Sequence, residues 1–539
     1  MNNQNIGAQK RMIIFTVIVF VLFLVYEFTV LKPQQEEREK AAQAQAQTQN
    51  AAPKTQQVGT SAPATDAAPT VNNNSIEALS SKAIASKDIL TTIKTSKSII
   101  ELDTFGRLAQ VTLLESKYVD ENGKQIKLFE ANQLRPLEVR LGNANINTEA
   151  FKTPYVTTAT TVDATKAKQN VTLTQTLPGS TITKTFTFFP DGKYSVNVKT
   201  TNKEAFFITN GARPNVSESN MGEMIVKGSI VKLSDETLKT IEDGDLDKNE
   251  NLIGARFVSN FDKYYATLVY NFDKPMAVTL MPDADNNPQA FIHGNDNITL
   301  GGYAGPKEYV VLNAINPELT EAIEYGWFTF IAKPVFALLQ YIQSYVGNWG
   351  WSIVIITILI KLVLYPLSYK GMVSMQKLKD LAPKMKEIQA RYKDDKQKQS
   401  AQMMELYKKH GANPMGGCLP LILQIPVFFA IYRVLLNSIE LKGAEWILWI
   451  DDLALMDPWF VLPILMGASM WLQQKITPNT MQDETQRKIF QMLPIVFTFF
   501  FLWFPAGLTL YWFVNNVFTI SQQYYINQLF EKRRALKKQ

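Results

Sequence analysis

Five apolar runs in the last third of the chain, at 351–369, 415–436, 459–474, 489–504 and 508–527, constrain the fold more than any other feature. The hydrocarbon core of a bilayer is about 30 Å thick and takes about 20 helical residues to cross. Runs of this length, dense in Phe and Trp, read as spanning helices, some of them short. A sixth run, 12–31, follows Lys10 and Arg11 and carries one charge, Glu27. It is long for a signal-peptide core and no small-residue cleavage site follows it, so it reads as an uncleaved anchor over residues 1–32. Only 19% of the residues are charged, and they are unevenly placed, which excludes a uniformly soluble or wholly disordered chain.

Between anchor and spans the pattern changes twice. Residues 33–75 are mostly Gln, Ala, Thr and Pro, a composition that cannot bury a core and reads as a disordered linker. From 76 to 317 short alternating segments recur. Segments 171–177 and 181–189 alternate Thr with apolar residues, Pro190-Asp191-Gly192-Lys193 makes a turn, and 194–200 alternates again, which is a hairpin signal. Repeated to Val311, the pattern predicts a large β-sandwich. Residues 318–346 turn helical, with Trp327, Phe328, Phe330, Ile331, Val335, Phe336 and Leu339 expected on one apolar face. That face suits an interfacial helix lying on the membrane or a helix packed on the sandwich, and periodicity alone does not separate the two.

Charge sets the topology. With flanking turns included, the core spans are 347–370, 415–437, 459–474, 489–506 and 507–527. The segment 371–414, counted from Lys370, holds eleven Lys/Arg against five Asp/Glu, and the loop 475–488 and the tail 528–539 are also basic. The loop 438–458 holds only Lys442 against five acids. The positive-inside rule places both termini, 371–414 and 475–488 in the cytoplasm, and the β domain outside. The net charge of +6 is too small to imply nucleic acid by itself. A single cysteine, Cys418, allows no intrachain disulfide and no Cys-built zinc site. The two histidines, His293 and His410, lie far apart in different segments and offer no His-built site, so no metal or cofactor is expected. Nucleophile-elbow, zinc-protease and phosphate-loop motifs are absent from the sequence.

Lys361 is the most costly residue. It lies about 15–18 Å along its run at 1.5 Å per residue, and a lysine near mid-membrane costs about 2.5–3.5 kcal/mol on insertion scales. It either snorkels toward the cytoplasm or faces a wet cavity where it can attract a carboxylate. Arg433, near the outer end of its run, is expected to snorkel. Thr357, Gln424, Asn515, Asn516, Ser521, Gln522 and Gln523 are expected to face inward, because polar groups on a lipid-facing surface are costly. Aromatic residues crowd the last two spans, and Phe428, Phe429, Phe499 and Phe500 are assigned to a greasy path for a moving apolar segment. The stretch 371–414 reads as a basic helical hairpin with its tip near Lys393. Lys377, Lys384, Met385 and Arg391 are assigned to a surface for a partner or anionic lipid.

Several local sequences are distinctive together: Gly347-Asn348-Trp349-Gly350-Trp351, Tyr365-Pro366-Leu367, Asn413-Pro414-Met415-Gly416-Gly417-Cys418, Gln424-Ile425-Pro426, Leu462-Pro463-Ile464-Leu465-Met466-Gly467 and Phe504-Pro505-Ala506-Gly507. By these the chain resembles the YidC membrane protein insertase family of Gram-negative bacteria over essentially its whole length. The resemblance implies a polytopic α-helical membrane protein, with an N-terminal anchor, a five-helix core around a polar groove, and a large periplasmic β-supersandwich. It implies that Lys361 stands where the family usually has arginine, and that Thr357, Gln424 and Trp512 match groove positions, the last usually tyrosine. The partners implied are nascent membrane proteins, the Sec translocon with its accessory subunits, the ribosome and signal recognition pathway, and phospholipid, with no sequence-specific nucleic acid. The expected function is insertion of inner-membrane proteins without enzymatic chemistry. A secondary transporter with a periplasmic ligand-binding domain is the alternative, against which stand the lack of an inverted repeat and of matched charge pairs. A structural envelope scaffold is a third.

Overall fold

The computed structural model describes residues 88–536 apart from 121, 131, 217–224, 394, 412–418 and 478–483. The expected anchor and the linker 33–75 lie outside the described residues, as do Cys418 and the end of the hairpin at Asn413-Pro414.

The β domain opens with β1 (Ile89–Lys94), β2 (Ser98–Asp103) and β3 (Leu108–Leu113), then β4 (Val139–Leu141), a short helix α1 (Ala144–Ala150) and β5 (Thr161–Asp163). The meander β6 (Gln169–Leu177), β7 (Ser180–Phe188) and β8 (Tyr194–Thr200) follows. Next come β9 (Ala205–Gly211), β10 (Gly228–Leu233), β11 (Leu238–Glu242) and β12 (Glu250–Phe261). The domain ends with β13 (Tyr265–Tyr270), β14 (Met276–Pro282), β15 (Pro288–Asn295) and β16 (Asn297–Pro306). A small sheet runs β3-β2-β1-β5 and a large one runs β4-β9-β15-β14-β12-β13-β16-β8-β7-β6, with β10 and β11 branching from β12. The Thr/apolar alternation explains β7: Ser180, Ile182, Lys184, Phe186 and Phe188 are buried while the intervening threonines are half-exposed. β12 serves two parts of the sheet. Its first half pairs with β14 and its second half with β10 and β13. The register breaks between Ile253 and Ala255, where Gly254 takes φ +85°. That backbone conformation is open to glycine at little cost.

One inward position of β7 holds a cation. Lys184 Nζ donates to Gly106 O at 2.8 Å and Leu137 O at 2.9 Å. Nearby, Arg107 bridges Asp103 at 2.8 Å and Glu138 at 2.6 Å, and Arg140 pairs with Glu138 at 2.6 Å. Burial pushes the Lys184 amine down to about 7, and Lys307, seated over the Phe261 ring, down to about 8.

The helical part begins with α2 (Tyr309–Ile315), two 3₁₀ turns (Pro317–Ala322 and Gly326–Phe328) and α3 (Thr329–Val346). It continues through α4 (Trp349–Val363), α5 (Tyr365–Arg391), α6 (Lys396–His410) and α7 (Leu419–Asn437). α8 (Val461–Ile476), α9 (Glu484–Phe501) and α10 (Ala506–Leu536) complete it. α3 buries Ala332, Phe336, Leu339 and Ile342. Phe330, expected on the same face, is instead 73% exposed, because at about 100° per residue it falls about 200° from Ala332, on the opposite side of the helix. The expected run 351–369 is two helices that meet at Leu364 with a bend of 64°. Pro366 has no N–H to bond back to the preceding turn, and α5 then continues unbroken into the hairpin. Among the described residues no single helix is long and apolar enough to cross a membrane. The bent pair α4–α5 passes that test by length and composition.

The two parts share one core. Ile230, Phe257, Phe261, Leu268 and Tyr303 of the sheet cluster with Leu312, Phe336, Leu435 and Leu441 of the helical side. Within the helices, α8 and α9 meet at Gly467, where an added Cβ would lie 1.8 Å from Thr498 Oγ1.

Two outcomes follow from this packing. Gly467→Ala overpacks the α8–α9 contact and costs about 1–3 kcal/mol. Thermal unfolding of the detergent-solubilised protein shows the loss, and adding Thr498→Ala restores part of it. The second outcome is a pH dependence. Between about 7 and the ordinary lysine value of 10.5, the unfolded chain holds a proton that the folded one has released. Stability therefore rises with pH across that window, and is lowest below it. The melting temperature of the wild type rises from about pH 6.5 to about pH 9, and Lys184→Met makes the rise shallower, leaving the part due to Lys307.

Candidate functional site: a buried ammonium between three helices

The last turn of α4 carries Lys361, and the side chain points into the helical core rather than outward. Its relative exposure is 7%. Nζ donates to Thr519 Oγ1 of α10 at 3.0 Å and to Gln424 Oε1 of α7 at 3.4 Å. Gln424 then donates from Nε2 to Asn515 Oδ1 at 2.8 Å. Asn515 and Thr519 are four residues apart, so they share one face of α10, and Thr519 Oγ1 also bonds Asn515 O at 2.7 Å. Among the described residues every hydrogen-bond partner of Lys361 is neutral. Dipoles satisfy the ammonium without cancelling its charge.

Of the other expected residues, Thr357 sits one turn before Lys361 on α4, buried, with its hydroxyl bonded to Ile353 O at 2.6 Å. Trp512 lies on α10 one turn before Asn515. It packs edge-on against Phe428 at 4.7 Å and against Phe501 at 5.6 Å and Phe497 at 5.9 Å. Its indole N–H is buried and makes no hydrogen bond among the described residues. The polar cluster therefore has an aromatic wall toward the α7, α9 and α10 contact.

α10 carries a second polar face. Asn516 Nδ2 donates to Ser469 Oγ of α8 at 3.0 Å. Farther along, Gln523 donates to Asn527 at 2.8 Å, and Asn527 donates to Ile476 O at 2.9 Å. Gln522 is buried as well. Ser521 departs from the expectation: it is exposed and bonds back to Val517 O at 3.0 Å. Arg433 departs too. It pairs with Glu324 at 3.5 Å, a partner the sequence did not point to.

The four phenylalanines assigned to one path fall into two groups. Phe428 and Phe429 are half-buried, Phe429 stacked on Phe328 at 5.8 Å. Phe499 and Phe500 are each 59% exposed on α9, next to Trp503. The hairpin residues also divide. Lys377, Lys384 and Arg391 are exposed at seven-residue spacing on α5. Met385 is buried inside the hairpin with Leu378 and Leu381, against Met403, Leu406 and Tyr407. α5 is tied to α10 by the Gln376–Asn527 hydrogen bond and the Arg534–Asp380 ion pair. Thr519 was not singled out by sequence reasoning. Its four-residue spacing from Asn515 was the available signal.

Comparison with known proteins matches both parts of the chain. Residues 341–533 match the family model described as 60Kd inner membrane protein, and residues 90–338 match that of the YidC periplasmic domain. The membrane protein insertase YidC of Campylobacter jejuni is 47% identical over 98% of this chain and 98% of its own length. That of Wolinella succinogenes is 47% identical over 99% of this chain and 98% of its own. That of Helicobacter pylori is 46% identical over 84% of this chain and 86% of its own. With a β domain and a helical core in the same order, and close to half the residues shared along the whole length, the chain belongs to the YidC family of inner-membrane protein insertases.

Proposed function

We propose that this chain inserts membrane proteins by drawing a hydrophilic, often acidic segment of the substrate toward Lys361. The observation that carries the reading is the buried ammonium whose partners among the described residues are all neutral. Opposite unit charges at 4 Å attract by about 4 kcal/mol at an effective dielectric of 20, before desolvation is subtracted. That is enough to hold a carboxylate briefly and weak enough to release it. Gln424, Asn515 and Thr519 provide dipoles beside the charge, and Thr357 continues the polar lining of α4. The buried indole N–H of Trp512 is a further donor for a substrate group. The apolar part of the substrate passes along α7 and α9 into lipid, guided by Phe428 and Phe429 on the inner side and by the exposed Phe499 and Phe500 on the outer side. Its burial in lipid, at about 25 cal/mol per Å2, provides the drive. No cofactor and no enzymatic step enter this scheme.

In this reading the spans are 347–370, 415–437, 459–474, 489–506 and 507–527 with the anchor 1–32, and the basic loops and tail favour cytoplasmic termini and a periplasmic domain 76–317. The exposed Lys377, Lys384 and Arg391 line one face of the hairpin, suited to an acidic partner or ribosomal RNA backbone by charge alone, and to anionic lipid. Cooperation with the Sec translocon, and delivery by the ribosome and signal recognition pathway, are part of the same reading.

Complementation of a strain depleted of its insertase tests it, with a small substrate whose translocated segment is acidic. Lys361→Arg keeps insertion. Lys361→Leu and Lys361→Glu lower it by about tenfold or more, the equivalent of about 1.4 kcal/mol in the barrier. If Lys361→Leu inserts as well as wild type while accumulating to the same level, the charge is not the attracting group.

A further inference from the structure

α3 presents three faces. One is buried against the core. A second, with Phe330, Leu338 and Tyr345, is exposed and apolar. Between them Ala337, Gln340, Tyr341 and Ser344 recur at three and four residues and line an open cavity of about 600 Å3. Its opposite walls come from the edge of the β domain, through Lys117 and Glu308, and from Trp349 and Glu440. None of these residues belongs to the Lys361 cluster.

The charges in this cavity are unequal. Glu308 is already bonded to the Lys117 ammonium and the Tyr118 hydroxyl. Glu440 accepts the Tyr309 N–H at 2.9 Å and has no ion-pair partner among the described residues. Burial lifts its carboxyl to about 7, with Glu308 adding to the rise and Lys117 opposing it. A carboxylate in that position gains from a cation brought beside it. Tyr309, Tyr341 and Trp349 line the same space, and aromatic faces attract ammonium groups. Tyr341 also continues onto the exposed apolar face, edge-on to Tyr345 at 5.0 Å. A charged head in the cavity and a hydrocarbon tail along the helix would therefore be contiguous.

We propose that this cavity holds the headgroup of a zwitterionic phospholipid, with its ammonium between Glu440 and the aromatic rings and its acyl chains along Phe330, Leu338 and Tyr345. The membrane location of the family makes such a lipid available. The site ties the β domain, α3 and the loop after α7 to one lipid molecule.

Native mass spectrometry of the full-length protein, released from detergent with phosphatidylethanolamine or phosphatidylglycerol, tests the assignment. Wild type retains phosphatidylethanolamine over phosphatidylglycerol by about threefold to tenfold. Glu440→Gln keeps an acceptor for the Tyr309 N–H but loses the charge. Ala337→Trp fills the cavity and leaves the carboxyl in place. Both bring phosphatidylethanolamine down to the level of phosphatidylglycerol. Equal retention of the two lipids by wild type, or an undiminished preference in either variant, overturns the proposal.

Discussion

A lysine ammonium held between three helices, with only neutral partners among the described residues, is the constraint on which the helical core depends. Burying a charge among apolar groups costs several kcal/mol unless dipoles are fixed around it. α4 must end where Lys361 can reach them, α7 must offer Gln424, and α10 must offer Asn515 and Thr519 on one face. The chain then bends by 64° after Leu364, which sends α5 out of the core and into the hairpin. α10 is longer than its neighbours because it serves both ends. Its early residues build the polar cluster, and its later ones, from Asn527 to Arg534, hold α5.

The β domain is not hung on this core by a tether. Sheet residues such as Phe257, Phe261 and Tyr303 bury their side chains in the same cluster as Phe336, Leu435 and Leu441. Polar contacts pin the same junction: Arg256 of β12 pairs with Glu318 at 2.5 Å and Lys232 of β10 with Glu321 at 3.1 Å. A shared apolar core resists relative motion more than a polar interface does. The periplasmic domain of this chain and its helical core are therefore mechanically coupled, and a ligand bound where they meet would be felt by both.

Much of this was legible in the sequence, for reasons that differ by element. The meander of β6, β7 and β8 was readable because Thr alternates with apolar residues at period two. Lys361 was readable because its cost is high wherever it points. The buried Lys184 and Arg107 network was not, since alternation gives the face of a strand but not that a cation will occupy it. Gly254 gave no warning that β12 would change partners there. Thr519 carries no such signal of cost, because a threonine in an apolar helix usually bonds back to its own backbone, and Thr519 does that too. Met385 is buried within the hairpin and not on a partner-facing surface; amphipathic spacing does not say whether the apolar stripe meets a partner or the other arm of the same hairpin. Phe499 and Phe500 looked equivalent to Phe428 and Phe429 by composition, and only packing separates them.

The central claim is that substrate reaches the buried ammonium. Photocrosslinking from position 519, with a benzoylphenylalanine there and the substrate's acidic segment arrested during insertion, tests it most directly. The account predicts crosslinks from 519 to that acidic segment, and crosslinks from 499 and 500 to the substrate's apolar segment. Crosslinks from 499 and 500 to both segments, with none from 519 in a protein that still inserts, would contradict it.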